Sequence, residues 1–132
     1  MRLIICFLTI QAILLVCACK KESTSGIPII VDSGYFSNGP YGSVSGTAKI
    51  YKTGTQYELA LENFSSSNGP DLKVYLSKEK QPVNFVSLGP LKSTAGDQLY
   101  TIPAAVNVSE YKFALIHCEK YNHLFGFTQL RQ

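Results

Sequence analysis

Val44-Ser45-Gly46-Thr47-Ala48-Lys49-Ile50-Tyr51 leads through the turn Lys52-Thr53-Gly54-Thr55 into Gln56-Tyr57-Glu58-Leu59-Ala60-Leu61-Glu62. In the first run Val44, Gly46, Ala48 and Ile50 alternate with Ser45, Thr47, Lys49 and Tyr51. In the second, Tyr57, Leu59 and Leu61 alternate with Glu58, Ala60 and Glu62. Successive side chains of a strand point to opposite faces, so a period of two is the mark of a half-buried strand. The stretch therefore reads as strand, turn, strand.

The same pattern extends outward. Leu72, Val74 and Leu76 alternate with Lys73, Tyr75 and Ser77, and shorter strand candidates lie at residues 27–31, 85–88 and 99–102. Between them stand the turn formers Asn38-Gly39-Pro40, Asn68-Gly69-Pro70-Asp71 and Gly89-Pro90. Gly and Pro recur too often along residues 26–109 for long helices. The reading is all-β: one small β-sandwich or barrel-like domain of about seven to eight short strands. Residues 107–130 stay open on periodicity. As a helix, Ser109 caps it and Tyr111, Ala114, Leu115, Cys118 and Tyr121 share a face. As strands, residues 113–118 form a central strand apolar on both faces, paired with residues 124–130, and Gly126 sits badly in the helical alternative.

With 132 residues the chain has the length of one domain. Charged residues are 16% and hydrophobic residues 45%, a balance that excludes disorder. A net charge of +3 without a Lys/Arg stripe excludes a nucleic-acid footprint.

All Gly and Pro residues lie at or after Gly26, which sets the amino end apart. Arg2 precedes an apolar run at residues 3–16, broken by Thr9 and Gln11. As a helix that run spans about 21 Å, short of a bilayer core of about 30 Å, and so reads as a secretory signal. Its end, Val16-Cys17-Ala18-Cys19-Lys20-Lys21-Glu22, resembles the lipobox of bacterial lipoproteins. There a small residue precedes the Cys that becomes diacylglyceryl-modified and then the mature amino terminus. Cys19 follows the small Ala18, whereas Cys17 follows the branched Val16, so Cys19 is the expected lipidation site. The expected organisation is a signal peptide at 1–18, a lipidated amino terminus and tether at 19–33, and a β domain at 34–132. The expected partner is a membrane, inner or outer, of a bacterial cell envelope, with the domain outside the cytoplasm. Loss of residues 1–18 removes Arg2 and no carboxylate, leaving a net charge of +2. It also removes Cys6 and Cys17, so Cys118 is the one thiol of the domain and no intrachain disulfide is expected.

The ordered set Gly34-Tyr35-Phe36, Val44-Ser45-Gly46-Thr47-Ala48, Gly69-Pro70-Asp71-Leu72-Lys73-Val74-Tyr75-Leu76, Leu88-Gly89-Pro90-Leu91-Lys92, Gly96-Asp97-Gln98-Leu99-Tyr100-Thr101-Ile102-Pro103, Tyr111-Lys112-Phe113-Ala114-Leu115-Ile116-His117-Cys118 and Leu124-Phe125-Gly126-Phe127-Thr128-Gln129-Leu130 resembles the DM-thirteen domain, described as an electron-transfer domain. The resemblance covers residues 34–130. It implies a compact β-rich fold, with residues 113–118 as a strand, and a redox partner of unstated kind. It also implies that Cys118 is the family's characteristic cysteine, a redox thiol or a ligand to a prosthetic group such as haem. Members commonly carry Trp just before this Cys, and here His117 stands there.

Read from the residues alone, a free Cys in a strand is most often a small buried hydrophobe. A reactive thiol needs neighbouring cations, which Lys120, His117 or His123 are placed to supply if they face the sulfur, with the sulfur partly accessible beside residues 119–123. His117 and His123 are also the candidate cofactor-binding residues. Zinc fits poorly: His117 points away from Cys118 on a flat strand, and Cys118, His123 and Glu119 fall short of a structural set. The chain lacks a Cys-x-x-Cys-His motif, which excludes covalent c-type haem. Gly69-Pro70-Asp71 reads as a tight turn, with Asp71 expected to supply a turn or capping bond. Hydrolase and phosphate-loop signatures are absent from the sequence. Two functions follow: a membrane-tethered redox module using Cys118, or a tethered envelope β-sandwich that binds or stabilises, with Cys118 as packing.

Overall fold

The computed structural model describes residues 26–131; the expected signal peptide, Cys19 and the tether up to residue 25 lie outside them. Nine strands run in chain order among these residues: β1 (Ile29–Tyr35), β2 (Ser37–Asn38), β3 (Val44–Thr53), β4 (Gln56–Ser66), β5 (Leu72–Ser77), β6 (Phe85–Pro90), β7 (Gln98–Ile102), β8 (Phe113–Cys118) and β9 (His123–Gln129). A single 3-10 turn, Val108–Glu110, precedes β8, and no α-helix occurs among the described residues. Every strand pairing is antiparallel. One sheet has the order β1-β3-β4-β7, the other β2-β9-β8-β5-β6.

The alternating residues form the core between the sheets. Ala48 and Ile50 of β3, Leu59 and Leu61 of β4, and Tyr100 and Ile102 of β7 face Leu72, Val74 and Leu76 of β5, Ala114, Ile116 and Cys118 of β8, and Phe125 of β9. Full burial of an aliphatic side chain of this size stabilises by about 1.5–3 kcal/mol relative to exposure. The fold is thus the expected all-β sandwich, and residues 113–118 form the doubly paired central strand rather than part of a helix. A helix at 107–130 would have spread their apolar side chains over one stripe. In the strand they fill both faces: Ala114, Ile116 and Cys118 inward, Leu115 outward with Tyr75 and Leu124.

The outer face of the second sheet is therefore not a solvent face. Phe113 and Phe127 pack beside Tyr75, Leu115 and Leu124, and residues 78–84 fold back over them. Ser77 is fully buried, its hydroxyl donating to the carbonyls of Gln81 at 2.8 Å and Val83 at 3.1 Å. Lys80 sets its Nζ 4.0 Å from the Phe127 ring centroid.

Two sequence expectations need correction, on the tether and on Asp71. β1 begins at Ile29 and runs to Tyr35, so residues 29–33 belong to the sheet rather than to a tether ending at 33. β2 has two residues, too short to show a period, and forms because the chain crosses from one sheet to the other at Phe36. The Asp71 carboxylate takes no turn bond. It pairs with Lys73 Nζ at 3.0 Å, while Asn68 Oδ1 accepts the Gly69 amide at 2.9 Å and holds the turn.

Candidate functional site

β5 starts and β8 ends at the same end of the sandwich, where Leu72, Cys118 and His123 lie side by side in register. The chain then turns through residues 119–122, with Asn122 at φ +52°, a conformation its short amide side chain tolerates. The residues that the sequence singled out stand around this turn but face in different directions.

Cys118 is fully buried, packed inward with the aliphatic core. The accessible thiol expected beside residues 119–123 is therefore not what the fold presents. The sulfur is on the core face, and the polar segment begins one residue later. Nor do cations converge on it. Lys120 places its Nζ 5.4 Å from the Tyr121 ring centroid, and Lys73 is paired with Asp71. Cys118 does not line the open cleft on the outer face of this sheet, described below. A haem ligated by Cys118 does not fit this packing, because the ring would have to displace the core between the sheets.

His117 points to the opposite face, as strand alternation requires. It is 4% exposed and tilted 5.6 Å from the Tyr75 ring. Its Nε2 donates to Asn122 Oδ1 at 2.9 Å, which leaves Nδ1 as a lone pair, buried and without a partner. Burial holds His117 below the ordinary histidine pKa, opposed by the Asn122 bond and the nearby Glu119 charge.

His123 stands apart from both. Its ring stacks on Tyr41 with centroids 3.7 Å apart, and Tyr121 lies 5.9 Å away. Cys118 and His123 are strand neighbours, yet no three His, Cys, Asp or Glu side chains gather into a metal-holding group among the described residues.

The sequence missed Tyr75. Its place on the outward-facing row with Lys73 and Ser77 was legible, but its burial was not. It is 2% exposed, stacks on Phe85 at 4.3 Å and donates its hydroxyl to Glu119 Oε2 at 2.7 Å. Burial, then the bond to Glu119, pushes the phenol pKa up strongly, so Tyr75 stays protonated. Tyr75, Pro82, Phe85, His117, Glu119 and Asn122 line an open cleft of about 330 Å³ on this face. No local signal identifies the cleft, because Glu119 reaches Tyr75 only when the β8–β9 turn folds against β5.

The fold and this end of it define a two-sheet antiparallel sandwich with a single core thiol beside a buried imidazole. The chain matches the model of the family described as electron transfer DM13 over residues 35–130, and it belongs to that family. No curated protein and no solved structure matches it.

Proposed function

We propose that the chain is a bacterial envelope lipoprotein, acylated at Cys19 and tethered by the residues that follow, whose β-sandwich serves electron transfer outside the cytoplasm. The observation that carries the electron-transfer part is the family match over residues 35–130. The lipobox-like Ala18-Cys19 after an apolar run supports the anchor. In this reading Cys118 is the redox residue, and a redox partner meets the protein at the Cys118–His123 end.

The burial of Cys118 favours a second reading on one point: the thiol is core packing, and the tethered sandwich binds or stabilises without redox chemistry at that residue. Thiol titration of the native protein, together with its visible absorption spectrum, separates the two. Reaction of Cys118 without denaturant, or a cofactor band lost in Cys118→Ser, supports the redox residue. A thiol that reacts only on unfolding, in a colourless protein, leaves Cys118 as packing. Mass spectrometry of the mature amino end tests the anchor; a Cys19→Ala form that is still anchored through lipidated Cys17 overturns the choice of Cys19.

A further inference from the structure

We propose that the end of the sandwich formed by residues 26–29, 52–56 and 103–105 rests on the lipid bilayer, with Ile27 and Ile29 in the interface, so that the Cys118–His123 end faces away from the membrane. The proposal rests on the acylation of Cys19. It adds which surface meets the lipid and which end is presented to a partner.

Three separate segments come together at this end. Gly26 lies against Thr53 and Gly54 of the β3–β4 turn. Thr55, Gln56 and Tyr57 share a small cleft with Thr101, Ile102, Pro103 and Ala104. Ile27 is 87% and Ile29 55% exposed, and Gly54, Thr55, Gln56, Pro103, Ala104 and Ala105 are exposed beside them. Among residues 26–30, 52–57 and 101–106 there is no carboxylate, and Lys52 is the one charged side chain. Glu58 borders this patch and shares a cleft with Pro28, and within the patch the apolar side chains with Lys52 suit the boundary of an anionic leaflet.

The position of the tether selects lipid as the occupant. Seven residues lie between Cys19 and Ile27, and the eight steps from one to the other span at most about 29 Å when fully extended. An acylated Cys19 therefore keeps exposed Ile27 within reach of the headgroups. Cys118 lies at the other end. Tyr41, three residues before β3, stacks on His123 at the start of β9, which places the start of β3 at the Cys118 end. From Val44 to Thr53, β3 runs about 30 Å, from the Cys118 end to the tethered end.

The chain has no Trp, so a single introduced Trp is a clean reporter. The acylated full chain is reconstituted in vesicles of phosphatidylglycerol and phosphatidylethanolamine with brominated acyl chains. Ile27→Trp and Ala104→Trp should show blue-shifted emission and lose most of it to the brominated lipid. Tyr121→Trp should keep its emission there and lose it to aqueous iodide. Adding Ile29→Ser to Ile27→Trp should reduce the lipid quenching. Equal iodide quenching at all three positions, in a chain that is acylated and sediments with the vesicles, overturns the proposal while the anchor stands. Ile27→Trp shielded from iodide yet blind to brominated lipid also overturns it, in favour of a protein surface such as a second copy. A Cys19 without lipid by mass spectrometry refutes the anchor itself, and the proposal falls with it.

Discussion

His117 is a histidine that the fold keeps neutral. Its Nε2–H is spent on Asn122, a proton added at Nδ1 would make an N–H with no acceptor, and burial opposes the charge. The folded pKa lies below the ordinary value of 6.5, so between the two values the unfolded chain binds more protons than the native one. Stability from this residue is complete above about pH 6.5 and is lost as the pH falls toward the folded pKa. Thermal melts between neutral pH and the onset of carboxylate titration should show the melting temperature dropping on acidification. His117→Phe should flatten that slope. At Cys118 the expected effect is on stability first. A serine hydroxyl placed among Leu72, Ile116 and the facing sheet has no partner, and Cys118→Ser should cost about 1–3 kcal/mol with the fold retained, measured by denaturant unfolding. The identity of both residues was legible in sequence, as was their disposition on opposite faces. The depth of Cys118 was not, because strand alternation says which face a side chain takes and not what covers that face.

Among the elements, the β3–β4 pair carries a device that its alternation conceals. The register jumps between Ser45 and Thr47, where Gly46 stands opposite both Asn63 and Phe64. Gly46 has φ +106° and Asn63 φ +48°. A Cβ on Gly46 would sit 2.7 Å from the carbonyl oxygens of Glu62 and Asn63. Gly46→Ala should therefore destabilise by at least about 1 kcal/mol, and more if the bulge cannot relax, as read from the shift in denaturant midpoint. The turn before β5 should be more tolerant. Because Asp71 makes a half-exposed ion pair with Lys73 and Asn68 supplies the turn bond, Asp71→Ala should cost less than about 1 kcal/mol by the same measurement. β8 shows the limit of periodicity as a guide. Phe113–Cys118 is apolar on both faces, a pattern shared by central strands and buried helices. The family resemblance, and then the pairing with β5 and β9, separated the two.

At the scale of the molecule, one core joins the sheets. Val44, Ile50, Leu59, Leu61, Tyr100 and Ile102 of the first sheet pack with Leu72, Val74, Leu76, Ile116, Cys118 and Phe125 of the second. Neither sheet keeps a dry inner face without the other, so the domain should unfold in one cooperative step. Far-ultraviolet and near-ultraviolet circular dichroism should give coincident denaturant transitions, and separate midpoints would contradict the shared core. Ile116, fully buried at the centre of β8, should report on the same transition: Ile116→Ala should lower stability by about 2–5 kcal/mol without splitting it.

By itself the sequence determined the fold class, most of the strands and the alternation of their faces, because these follow from local periodicity and from where Gly, Pro and Asn permit a turn. It also determined that residues 34–132 hold a single cysteine, Cys118. Only the tertiary structure decided what lies over each face. The 78–84 loop that encloses Ser77 follows β5 directly, whereas the β8–β9 turn that brings Glu119 to the Tyr75 hydroxyl lies 44 residues further along the chain. Burial, the partners of a polar atom and the protonation state of His117 depend on how loops and turns fold back on the strands, whether five residues away at Asn122 or 44 away at Glu119, and the alternation along one strand does not contain that.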